Sequence, residues 1–191
     1  MLNRKNIISL FCGTILLGAS SVSLADMTLN SDRSSLSFFS VKKGTAGESH
    51  TIPKLSGTFS DAGDLKVTLD LKTVDTKNKV RDERMNKFLF ETDKHPKATL
   101  TAKITDDLSG DGLKAIEVEA TLMMHGVEKK IKVAVAVIRV GDKLIASSTK
   151  PVIISAPDFK LGEGVAKLQE LAKLPSVALS VPVSFVLVFD K

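Results

Sequence analysis

Tryptophan and tyrosine are absent from the 191 residues, and the one cysteine is Cys12. The chain therefore lacks the ring types that form the interfacial belts of membrane barrels, and two of the aromatics that stack on nucleic-acid bases. Cys12 falls in a leader-like segment. Arg4 and Lys5 open it, Ile7 to Ala19 is uncharged and mostly apolar, and Ser23-Leu24-Ala25 supplies a small, x, small cleavage pattern before Asp26. The apolar run is shorter than the roughly 20 residues that span a bilayer. Residues 1–25 are thus expected to be a cleaved signal peptide, followed by one domain over 26–191 in the periplasm. That domain would hold no cysteine and so no disulfide or thiolate chemistry.

Charge of one sign is also scarce. From Asp26 onward, 25 basic residues stand against 22 acidic ones, interspersed along the chain, which describes a solvated surface and not a nucleic-acid footprint. Signatures of catalysis are missing: no G-x-S-x-G elbow, no H-E-x-x-H and no glycine-rich phosphate loop. His50 and His95 are expected in loops, and with His125 they share no metal-ligand spacing. The stretch Asp107 to Gly112 imitates the start of a calcium loop, but its twelfth position is Val118, which cannot ligate. No catalytic residue, metal ligand or cofactor is assigned.

What the sequence does have is a period of two. Leu65, Val67, Leu69 and Leu71 alternate with Lys66, Thr68, Asp70 and Lys72, the pattern of a strand with one buried and one wet face. The pattern returns over Ala98 to Ile104 and Ile116 to Met124, and more briefly over Leu36 to Val41 and Leu55 to Ser60. Asp61-Ala62-Gly63-Asp64, Ser109-Gly110-Asp111-Gly112, His125-Gly126 and Gly141-Asp142 mark turns between antiparallel neighbours. Two segments break the alternation. Arg81 to Phe90 spaces Met85, Phe88 and Leu89 as a short helix, and Gly164 to Leu174 puts Val165, Leu168, Leu171 and Ala172 on one stripe before Pro175.

About eight strands with too few helices for parallel crossovers imply an all-β antiparallel meander, closed into a barrel or flattened into a sandwich. A membrane-spanning barrel is disfavoured by the alternating charges and the missing aromatic belts. Ile131 to Ile138 and Val177 to Phe189 are apolar on both faces. If Val133, Val135 and Val137 point inward, Ala134, Ala136 and Ile138 need a cover, either the 164–174 helix or a second copy of the chain.

The motifs LSGTF (55–59), TVDTKNKVRDERM (73–85), FETDKHPKATL (90–100), LMMHGVEKKI (122–131) and APDFKL (156–161) follow one another as in the YceI-like, polyisoprenoid-binding proteins, which the whole of 26–191 resembles. The resemblance implies a lipocalin-like barrel, commonly dimeric, that carries a long apolar chain such as an isoprenoid, a quinone precursor or a fatty-acid derivative. The helix EGVAKLQELAKL and the apolar strand after it depart from the common pattern.

An interior of that kind would be lined by Phe38, Phe59, Leu69, Met85, Phe88, Leu89, Leu100, Leu122, Met124, Val135 and Phe185. Small inward residues, Gly57, Ala98, Ala102 and Ala120, would leave room for a ligand. Arg81, Arg84 and His125 are candidates for a polar mouth. The competing readings are two arginines paired with acids such as Asp75 or Asp82, a histidine that is only a hydrogen-bonded turn residue, and an interior filled by side chains. A partner-binding sandwich without a lipid, or a lipocalin-like enzyme, are the alternative functions.

Overall fold

The computed structural model describes residues 26–108, 110 and 112–191, so the leader expected over 1–25 lies outside the described residues. Among the described residues eleven strands form one antiparallel sheet that closes on itself. Five strands are whole staves: β5 (Asp64–Asp70), β6 (Lys97–Lys103), β7 (Gly112–Met124), β8 (Val127–Val140) and β11 (Ser180–Asp190). Three further staves are each made of two shorter strands: β1 (Met27–Leu29) with β2 (Ser35–Lys42), β3 (Ala46–Thr51) with β4 (Leu55–Phe59), and β9 (Lys143–Ser148) with β10 (Val152–Ser155). β11 closes the ring by pairing with β1 and β2 on one side and with β9 and β10 on the other. The result is an eight-stave barrel, not a flattened sandwich.

The period-two residues point as their pattern requires. Val118, Ala120, Leu122, Val133, Val135 and Val137 are buried inside. Between them, Glu117 pairs with Lys132 at 3.2 Å and Glu119 with Lys130 at 2.8 Å across the outer face. A charged exterior around an apolar interior is the reverse of a membrane-spanning barrel. Among the described residues no helix is long and apolar enough to cross a membrane.

Both helices sit at one end of the barrel. α1 (Lys79–Arg84) begins at Asn78, whose side chain accepts from the Arg81 N–H at 3.1 Å as an N-cap. It continues into a π-helical turn, Met85–Leu89, that ends where the Phe90 N–H donates to Met85 O at 2.9 Å. α2 (Gly162–Leu171) lies against that turn; it begins two residues and ends three residues before the segment that the apolar spacing marks. A Cβ at Gly164 would stand 2.5 Å from Phe88 O and 2.8 Å from Leu89 Cα, so glycine is what allows the two segments to touch. Arg84 Nη1 donates to Leu171 O at 3.3 Å and fastens the far end of α2.

One alternative left open is decided, and one expectation is corrected. The apolar stripe of α2 turns to the barrel end, where Val165 is buried, and leaves the outer face of β8 with Ile138 37% exposed. The correction concerns Gly57: it makes no room inside, but its missing Cβ lets β4 approach the Lys66 carbonyl of β5.

Candidate ligand-binding site

Among the described residues, apolar cavities lie at both ends of the barrel interior. The larger, about 190 Å³, occupies the helix end, and the smaller, about 60 Å³, the opposite end. Every residue lining either is apolar. Of the residues singled out in the sequence, Phe38, Leu69, Leu89, Leu122 and Met124 line the larger cavity, Phe59 and Val135 the smaller, and Leu100 and Phe185 both. Ala98 lines the larger and Ala120 the smaller, whereas Ala102 and Gly57 line neither.

Met85 and Phe88 are not brought to the cavity. Met85 is buried in the packing beneath the helices, and Phe88 is half-buried with the Lys87 ammonium 5.2 Å from its ring centroid. The physical reason is the π-helical turn. Its wider winding shifts the spacing that a regular α-helix would give, so that Phe90 joins the expected Leu89 in the wall while Met85 and Phe88 stay out of it. Sequence reasoning also missed lining residues outside its strands and helices, Ile52 and Leu161 among them, and did not carry Leu71, from an alternating strand, or Val165, from the second helix, into the lining. Leu179 lines the larger cavity and is 48% exposed, so the chamber reaches the surface beside it.

The polar residues gather differently from expectation. Arg81 pairs with Glu48, not with Asp75 or Asp82, and its Nη2 donates to Thr76 O at 2.7 Å. Asp82 instead accepts from the Thr76 hydroxyl at 2.6 Å and the Thr76 N–H at 2.9 Å, and Asp75 takes Lys77 at 2.6 Å. Lys42 reaches Glu48 at 2.7 Å. Lys42 and then Arg81 hold the Glu48 carboxyl below the usual carboxylate range. Arg84 is occupied with α2. His125 sits in a turn at φ 52° and meets Glu91 at 3.0 Å and the His95 ring at 4.5 Å, away from this cluster.

His50 is the residue the sequence reading misplaced. It belongs to β3, not to a loop, and is 3% exposed. Its Nε2 lies 2.9 Å from the Ser40 hydroxyl, and burial, then the Arg81 charge, push its pKa down. The register sets His50 and Glu48 on the same face as Phe38 and Ser40 of β2, a placement that no apolar alternation in Ala46 to Thr51 announces. Among the described residues no group of three or more His, Cys, Asp or Glu is placed to hold a metal.

A closed antiparallel barrel with a charged skin, an apolar chamber and a two-helix plug has the form of a small binding barrel. The chain belongs to the YceI-like domain family, whose model matches residues 27–189. A polyisoprenoid binding domain from Saccharophagus degradans, implicated in plant cell wall breakdown, is 34% identical over 86% of this chain and 97% of its own, with a TM-score of 0.82. BcnA of Burkholderia cenocepacia is 21% identical over 84% of this chain and 98% of its own, with a TM-score of 0.66, and shares the fold. A Campylobacter jejuni YCEI protein is 23% identical over 71% of this chain and 82% of its own, at a TM-score of 0.50. No curated protein gives a match.

Proposed function

We propose that this is an exported, non-enzymatic binding protein that holds a long apolar chain inside its barrel, for carriage or storage in the periplasm. The observation that carries this reading is the larger chamber, whose lining is apolar throughout and which reaches the surface beside Leu179. A ligand there gains about 0.8 kcal/mol for each buried methylene, so a prenyl or acyl chain needs few polar contacts to bind tightly. The likeness to a polyisoprenoid binding domain at 34% identity supports an isoprenoid, with a quinone precursor or fatty-acid derivative as chemically related ligands. A carrier suits the compartment implied by the leader, because such chains are nearly insoluble in the water between two membranes. A homodimer through the outer face of β8 belongs to the same reading: Ile138 is exposed there, and its neighbour across the ladder, Leu113, is 67% exposed.

Native mass spectrometry and organic extraction of the purified protein test the proposal. A co-purifying lipid released by solvent is the expected result. Protein that carries none and takes up none from prenyl-alcohol micelles would be a structural or partner-binding module.

A further inference from the structure

The larger and smaller cavities share four wall residues, Leu100, Val133, Phe185 and Leu187. Phe185 is the one aromatic among them, and its place in β11 is unusual. At Val183 the strand pairs with Val152 of β10, and at Val186 with Ser147 of β9. Between those points the pairing with β9 has ended and that with β10 has not begun, and the Phe185 N–H donates to the side-chain hydroxyl of Ser148, the last residue of β9, at 3.1 Å. On its other side Phe185 is in register with Leu36 of β2, which also lines the larger chamber. The backbone is thereby fixed from both sides while the ring lies between the two cavities.

We propose that Phe185 is the floor of the larger chamber and sets the longest apolar chain the protein accepts. The inference rests on the reading of the barrel as an apolar-chain binder. A chain entering at the helix end reaches the Phe185 ring, and going further requires that ring to leave its place. The void beyond it is enclosed by side chains such as Phe59, Ile104 and Phe189 and becomes available when the partition is removed. Chain length, more than head group, is then what the interior discriminates.

The test is a displacement titration of a fluorescent apolar probe by prenyl alcohols of increasing length, from farnesol and geranylgeraniol to longer polyprenols, on the wild-type protein, F185A and F185L. In the wild type, affinity rises with length and then stops rising. In F185A the limit moves to a longer alcohol, with about tenfold or greater tightening for the first one beyond the wild-type limit, and F185L lies between. Identical length profiles for the three proteins overturn the proposal while leaving the binding reading intact. Failure of the wild type to bind any of the alcohols overturns both. Should the variants not fold, a crystal structure of the wild type with its longest tolerated alcohol decides: a chain ending at the Phe185 ring supports the proposal, and one running past a displaced ring refutes it.

Discussion

Phe38 and His50 stand opposite each other on β2 and β3 as register partners, their rings tilted by 58° with centroids 5.2 Å apart. One ring lines the apolar chamber and the other begins the polar cluster of Ser40, Lys42, Glu48 and Arg81. The boundary between oily and polar interior therefore runs between two directly facing side chains. Burial keeps His50 neutral more readily than water would.

That burial makes stability depend on pH. The unfolded chain protonates His50 as pH falls through its ordinary value of 6.5, while the folded protein, whose value is lower, resists. Stability is full above that pH and declines below it until the folded His50 itself titrates. His50→Gln, which keeps a hydrogen-bonding group near Ser40, should flatten this part of the melting-temperature profile. Equal slopes for the two proteins would mean that His50 titrates as in water. At lower pH, Glu48, held below 4.5 by Lys42 and Arg81, adds a second decline as it becomes protonated.

Leu122→Glu places a carboxylate on a buried inward position of the larger chamber. An unpaired buried charge should lower stability by about 3 kcal/mol or more and empty the barrel of lipid. Denaturant melts with extraction check both, and unchanged lipid content would show that the chain binds elsewhere.

Gly164→Ala sets a helix-propensity gain of about 1 kcal/mol against a Cβ that meets backbone atoms of Phe88 and Leu89 at 2.5 and 2.8 Å. Backbone does not swing aside as a side chain does, so the clash should win. A net loss of about 1 to 3 kcal/mol is expected, with faster exchange of bound ligand because Leu89 forms part of the chamber wall. A more stable variant would mean that α2 shifts freely.

Phe88→Ala and Leu89→Ala separate packing from lining. Phe88 is half-buried and outside the cavity, so its removal should cost less than the roughly 3 to 5 kcal/mol typical of a buried phenylalanine and leave lipid content alone. Leu89→Ala should change affinity. Reversed effects in a paired melt and binding assay would reassign the lining.

Ala136→Lys introduces a charge into the half-exposed outer face of β8 beside Ile138. A dimer built on that face should become a monomer in sedimentation, with its β circular dichroism retained. If the wild type already sediments as a monomer at micromolar concentration, that face is simply solvated.

The barrel was legible because Val67, Leu69, Val118, Ala120 and Leu122 obey a period that only a sheet with one buried face produces. β3 was not, since Ala46 to Thr51 offers no apolar alternation and its inward residues include Glu48 and His50. β1 and β10 are short pieces whose pairing with β11 no local pattern displays, and of β9 only the Gly141-Asp142 turn before it was legible. In the site, chamber walls supplied by strands were readable. The register shift of the π-helical turn was not, because the same Met85, Phe88 and Leu89 spacing suits an ordinary α-helix. The ion pair of Arg81 with Glu48 joins positions 33 apart and depends on topology alone.

Asn30 donates to Asp190 at 2.7 Å across 160 positions of chain, and the strands on which that bond rests close the sheet. Hairpins such as β7–β8 can assemble from neighbours, but the seam at β11 cannot form until segments from both extremes of the domain meet. Until then β1, β2, β9 and β10 present bare edges, and the oily lining faces water. The completion of folding is thereby tied to the arrival of β11, and a chain stopped short of it is left as an open, adhesive sheet instead of a smaller container.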